Sequence, residues 1–323
     1  MKSIGDNLKL FRLRCNLSLT EAGSKVGLSA PGLLKYERNK VNHSLDKLNK
    51  LADVYGVSLD DILKVDNSSQ IKFTNLKLAV GTSDAKSDKI KSLIQSKVDN
   101  YFELLDKSNI KLVNKFGVHI INTVNEAESL ATKLRIFFQL PINDPIYNLI
   151  YLLEEHDIVV MTLDKDSVTS GFVGFYETIN NVPVIIVPKE NNGYAQRFNV
   201  AKFLGELLII SNEKDKSKLT DVFALSLLIP AKALIREFGE SRKKISFEEI
   251  DIFSKVYRVS YKHIIKRLES TGIITSSNAK YLNVYLNKDN KQEQTYMEEA
   301  LNYDKMLYKL NALDIINDVE GYL

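Results

Sequence analysis

Apolar and polar positions divide the chain into segments of different period. In residues 1–65, Ile4, Leu8, Phe11 and Leu13 recur at helical spacing and predict an opening helix that ends near Arg14. Ser18-Leu19-Thr20-Glu21 forms a capping box, in which the Ser oxygen accepts from the third helical amide and the Glu reaches back to the cap. That helix stops at Gly27, where a left-handed residue ends it. Ser29 caps a third helix through Leu33 and Tyr36 to about Glu37, with Pro31 where a missing amide costs little. Ser44 and Ser58 cap two more, carrying Leu45, Leu48, Leu51 and Ala52, then Leu59, Ile62 and Leu63.

Residues 66–88 are polar and show no sustained period, so they are predicted to be a linker. Ile90, Leu93, Ile94, Val98, Phe102 and Leu105 then line one face of a helix of about five turns. A helix opening at Asn125 buries Ala127, Leu130, Ala131, Leu134 and Phe138, and Asp144-Pro145 is predicted to cap another through Leu153. Three apolar strands follow at 158–163, 171–176 and 182–187. A helix at 197–210 buries Phe198, Ala201, Leu204, Leu208 and Ile209, and the next runs from Leu219 to Ile229 before Pro230. Ser246-Phe247-Glu248-Glu249 is another capping box, and Val259-Ser260 starts a helix through Leu268. Tyr281–Leu286 alternates as a short strand would, and from about Gln292 a helix carries Tyr303, Met306, Leu310, Leu313 and Ile316 on one side.

The predicted fold class is therefore mainly α with a small β-sheet (α+β). Four parts are predicted: a helical domain at 1–65, a linker at 66–88, a mixed core at 89–275 and a helical tail at 276–323. At 44% hydrophobic and 26% charged residues the chain supports real cores. No apolar run reaches the roughly 20 residues of a membrane span, and the N-terminus lacks signal-peptide organisation. The single cysteine, Cys15, fits a reducing cytosol, so a cytoplasmic protein is expected. A net charge of +3 does not by itself indicate a nucleic-acid partner.

Two short helices joined by a glycine turn make a helix-turn-helix, whose second helix is placed for the major groove. The run from Ser18 to Lys40, followed by Ser44–Leu63, resembles the XRE (lambda-repressor-like) family over residues 3–64. The resemblance implies that Ala30–Glu37 is the recognition helix, with Ser29, Ala30, Gly32, Leu34 and Lys35 facing DNA and Arg38 and Lys40 in the following loop. Lys35 is then the expected base or phosphate contact, and Arg12, Arg38 and Lys40 the expected phosphate contacts. Gly23 stands where that family usually has Ala, which predicts a slightly weaker second helix.

The helix at 197–210 has the framework of a zinc protease without its chemistry. In such enzymes H, E and H at i, i+1 and i+4 supply two metal ligands and a general base. Arg197–Ile210 resembles that segment of the ImmA/IrrE metallopeptidases, and the match continues in order and spacing over about residues 85–275. Lys202, Phe203 and Glu206 occupy the three chemical positions. A protonated lysine cannot ligate zinc, and phenylalanine cannot take a proton from water. The family's third ligand is acidic; Ser217, Lys218 and Leu219 stand near its place, with Asp215 and Asp221 out of register. His43, His119, His156 and His263 lie in separate elements. Lys202 and Glu206 are spaced to pair with each other at i, i+4. No metal and no cofactor are expected.

Together these readings lead to the expectation of a repressor of a mobile genetic element, such as a prophage, integrative element or pathogenicity island. It is expected to bind double-stranded operator DNA at an inverted repeat as a homodimer. An inducing protein, plausibly phage-encoded, would relieve repression by binding the C-terminal region. The alternative is a metallopeptidase-type regulator with a site rebuilt around Glu206 and Asp221 that cleaves a partner repressor.

Overall fold

In a computed structural model describing residues 3–63, 71–189, 192–212 and 216–288, the chain is mainly α with a small mixed sheet. The first domain is built from α1 (Ile4–Arg14), α2 (Leu19–Val26), α3 (Ala30–Glu37), α4 (Leu45–Tyr55) and α5 (Leu59–Leu63). Ser3, Ser18, Ser29 and Ser44 each accept from an amide of the helix they precede, and Gly27 and Gly56 end α2 and α4 in left-handed conformation. Leu8, Ala22, Val26, Leu33, Leu48, Leu51 and Ile62 form its core.

The segment expected to be a linker is partly structured. Ile71 is buried, a 3-10 turn covers Phe73–Asn75, and β1 (Leu76–Leu78) pairs antiparallel with a strand of the core. Leu76 and Leu78 pack on apolar side chains of the sheet and of the following helix, which makes this stretch part of the core. Residues 66–70 of the expected linker lie outside the described residues.

The core continues with α6 (Asp84–Lys107), β2 (His119–Ile120), α7 (Val124–Phe137), α8 (Leu149–Glu154), β3 (Val159–Leu163), β4 (Phe172–Ile179) and β5 (Val182–Pro188). Then come α9 (Gly193–Leu208), β6 (Ile209–Ile210), α10 (Lys216–Leu228), α11 (Ala231–Phe238), α12 (Phe247–Tyr257), α13 (Tyr261–Ser270) and α14 (Ser276–Lys288). Thr123 caps α7 and Asn148 caps α8, so α8 starts later than Asp144-Pro145 suggested. Residues before it form a loop fastened by Arg135, whose guanidinium donates to the carbonyls of Pro141, Asp144 and Leu227. Tyr281–Leu286 is helical: Ala279, Leu282 and Leu286 point inward at spacings of three and four, while Tyr281 and Val284 stay exposed. The helix expected from Gln292, with Tyr303 to Ile316, lies outside the described residues.

The main sheet has order β1-β4-β5-β3, with β5 antiparallel to β4 and parallel to β3. Asn180 and Asn181, both at positive φ, make the tight turn between β4 and β5. Helices cover both faces, which explains why β5 reads as an unbroken apolar run. Val184 and Ile186 face the cluster of α6, whereas Ile185 and Val187 face that of α9 and α10. In α13, Ile264, Ile265 and Leu268 are buried and Arg267 donates to the Ile229 carbonyl and pairs with Glu128, which ties this helix to the core. No helix among the described residues is long and apolar enough to cross a membrane.

Candidate nucleic-acid interface and core cleft

Gly27, Leu28 and Ser29 connect α2 to α3, and the turn is closed by the Leu28 amide donating to the Gly23 carbonyl at 2.9 Å. A Cβ on Gly23 would stand 2.6 Å from the Leu28 carbonyl oxygen. Glycine at 23 is thus required by how tightly the turn folds back, and its cost in helix propensity is secondary.

Along α3, Ser29, Lys35, Arg38 and Lys40 are exposed, and Ala30, Gly32 and Leu34 half-buried. The Ser29 hydroxyl caps α3 through the Gly32 amide at 3.2 Å. Leu33 and Glu37 lie on the opposite, buried side. Small residues at the start of the helix and cations at its end leave a low, basic face. That shape suits close approach to a polyanion.

Arg12 does not join this face. Its Nε and Nη2 donate to the two Glu37 carboxylate oxygens at 2.6 and 3.0 Å, and Nη1 donates to the Leu17 carbonyl at 2.9 Å. Arg12 is 7% and Glu37 5% exposed. The expected phosphate contact is instead a buried, bidentate tie between α1 and α3. Arg12 follows buried Leu8 by four residues, and Glu37 follows buried Leu33 by four. That register was a signal available in the sequence.

In the core, α9 lies against β4 and β5 with α10 alongside it. The Phe203 ring is buried over Gly174 and stacks on Tyr176 at 5.5 Å between centroids. A Cβ at 174 would sit 2.0 Å from the ring, so β4 and α9 fit only with glycine there. Lys202 and Glu206 do not pair with each other. The Lys202 ammonium is 2.7 Å from Asp221 and donates to the Ser217 hydroxyl at 3.0 Å, both on α10. Asp221 also meets Lys266 of α13 at 3.2 Å. Burial pushes the Asp221 carboxyl up, but hydrogen bonds from Lys202 and Lys266 more than offset it and hold it below the usual range.

Glu206 accepts from the Tyr176 hydroxyl at 3.0 Å and the Thr220 hydroxyl at 3.1 Å, and pairs with Lys216 at 3.0 Å. Burial, together with the Glu206 charge, raises the Tyr176 phenol above its ordinary value. Tyr176, Lys216, Thr220 and Lys266 were absent from the sequence-based set, because partners across three helices and a strand leave no local spacing to find. Asp221 was in view, but as a misplaced ligand and not as the partner of Lys202. Among the described residues no three His, Cys, Asp or Glu side chains lie together as metal ligands would. His43 bonds the Tyr36 carbonyl, His156 bonds that of Leu152, His119 is exposed, and His263 stacks on Phe198 at 4.0 Å.

Among solved structures, the chain is similar to PlcR of Bacillus thuringiensis in complex with the peptide PapR7 and DNA. The identity is 12%, coverage is 100% of this chain and 92% of that one, and the TM-score is 0.19. It is also similar to apo ComR from S. thermophilus, at 14% identity, 99% and 97% coverage and a TM-score of 0.18. Apo ComR from Streptococcus vestibularis matches at 14% identity, 99% and 94% coverage and a TM-score of 0.18. Scores this low carry no structural argument. No curated protein matches the chain. Residues 8–62 match the helix-turn-helix family, and the domain that α1 to α5 build is a helix-turn-helix domain of the XRE type.

Proposed function

We propose that the chain is a sequence-specific DNA-binding transcriptional repressor of a mobile genetic element, acting as a homodimer on an inverted repeat. The observation that carries the proposal is the recognition helix, exposed through Ser29, Lys35, Arg38 and Lys40 and braced from behind by the Arg12–Glu37 pair. One such helix reads only a half-site, which favours a two-fold operator. The cytoplasm is the expected compartment.

The core is proposed to be an ImmA/IrrE-like scaffold that has no peptidase activity and needs no cofactor. Support comes from the three positions that would hold the chemistry. Lys202 is engaged by Asp221 and Ser217, Phe203 is packed under β4, and Glu206 is held by Tyr176, Lys216 and Thr220. The two polar side chains at those positions, Lys202 and Glu206, each already have side-chain partners. Relief of repression is assigned to an inducing protein, of phage origin in a prophage or island setting, that binds the region from α6 onward.

The test is a titration of operator DNA, taken from the chain's own upstream region, across salt concentrations. Lys35→Ala is expected to weaken specific binding by about 1–3 kcal/mol if it contacts a base. Arg38→Ala is expected to weaken all sequences alike and to flatten the salt dependence by about one counterion. Equal binding to operator and random DNA by the unaltered full chain would overturn the proposal.

A further inference from the structure

Between residues 243–246 and the first turns of α14 lies a cavity of about 510 Å³, a size typical of small-molecule sites. Its floor is aliphatic: Ile245, Ile274 and Leu282 line it and are each 8% exposed or less. One wall is the backbone of 242–245, which is fixed at three points. The Arg242 amide donates to the Ile273 carbonyl at 2.8 Å, the Asn278 side chain to the Lys243 carbonyl at 2.9 Å, and the Arg242 guanidinium to the Lys244 carbonyl at 3.2 Å. The cavity is thus held open by the folded core. The same wall carries Lys243 and Lys244, both exposed, and neither takes part in an ion pair among the described residues. Tyr281 borders the mouth from α14, and among the described residues no carboxylate lines the cavity.

Two unpaired cations above an aliphatic floor select an occupant with an apolar body and an anionic head. The cations are lysines, which act as point charges, and no arginine lining the cavity offers the planar fork suited to phosphate. Much of the polar lining is already committed. The Asn278 amide serves the Lys243 carbonyl, and the Ser246 hydroxyl accepts from the Glu249 amide at the start of α12. Little is left to bond a peptide backbone, which would be costly to bury without partners. We propose that this cavity binds an aliphatic carboxylate. Its chain lies on Ile245, Ile274 and Leu282, its head group pairs with Lys243 and Lys244, and the Tyr281 ring flanks the entrance. The proposal stands apart from the DNA-binding assignment, because it rests only on residues after α11.

Calorimetric titration of the full chain with decanoate, below the concentration at which it forms micelles, tests it. Saturable binding is expected, with decanol weaker by roughly tenfold or more and the cationic decylamine not bound. Lys243→Gln with Lys244→Gln is expected to bring decanoate down to the level of decanol. Tyr281→Asp, which sets a like charge at an exposed position on the mouth, is expected to abolish decanoate binding. Lys280→Gln alters an exposed lysine of α14 that does not line the cavity, and is expected to change nothing. All four side chains are exposed, so melting temperatures without decanoate are expected to match that of the unaltered chain. Four results would overturn the proposal. They are the absence of saturable binding, equal affinity for decanol, equal weakening by Lys280→Gln, and tighter binding of an apolar tripeptide with a free carboxylate. The third would mean adsorption to a cationic surface, and the last a peptide site.

Discussion

Two arginines on α1, two residues apart, have separate fates. Arg12 is folded inward onto Glu37 and Arg14 is exposed. Because both members of the Arg12–Glu37 pair are buried, truncating either strands the other charge. Arg12→Ala or Glu37→Ala is therefore expected to cost the first domain about 3–5 kcal/mol. Urea unfolding checks this: DNA binding by Arg12→Ala should fail through unfolding and recover at low temperature, unlike the loss of a phosphate contact. His263 offers a second measurement at this scale. Burial, then the neighbouring Lys266 charge, lowers its pKa from 6.5 to about 4. The folded form thus refuses a proton that the unfolded chain accepts. Its contribution is complete above pH 6.5 and is lost as pH falls from there toward 4. His263→Phe is expected to flatten the melting temperature between those values, whereas an unchanged pH slope would show that other groups dominate.

Between elements, the tightest fit is that of α9 on β4, where Phe203 fills the space above Gly174. Gly174→Ala is expected to destabilise the core by about 1–3 kcal/mol through overpacking. Combining it with Phe203→Leu is expected to recover much of the loss, so a double-mutant cycle by chemical denaturation measures the coupling. The legibility of the sequence followed how local each determinant was. Ser18-Leu19-Thr20-Glu21, Gly27 and Ser29 lie within a dozen residues, and the helix-turn-helix they encode matches the structure in its helix bounds. The apolar runs at 158–163 and 182–187 likewise became β3 and β5. Leu76–Leu78 gave no signal, because a three-residue strand is too short to show a period and is held by β4, nearly a hundred residues away. The polar cluster at Lys202 and Glu206 was misread for a related reason. Spacing paired them along α9, but α10 brings Asp221 and Lys216 nearer in space. Tyr281–Leu286 shows the opposite fault, in which exposed apolar residues imitated a strand's alternation.

For the molecule as a whole, the first domain and the core are joined by chain and by contact. α1 packs against α6, and Lys89 donates to the Asn16 side chain at 3.1 Å. In the proposed repressor, an inducer that releases DNA must favour the inactive arrangement by about 5.5 kcal/mol to turn an almost fully bound population into an almost fully free one. A protein interface supplies that difference without cutting the chain. The expected outcome is a full-length chain throughout induction, seen on a denaturing gel. A discrete fragment severed within 66–88 at its onset would instead point to proteolytic release. The pairing of β1 with β4 gives this mechanism a ruler. Only residues 64–70 separate α5 from the stretch that leads into β1, and seven residues span at most about 25 Å. Half-sites on an operator lie roughly 34 Å apart. The α1–α6 contact also holds each reader against its core, so the two cores of the proposed dimer act as the joint of a caliper. A partner that opens that joint by a few ångströms puts both recognition helices out of phase with the grooves, with no part of the chain unfolded.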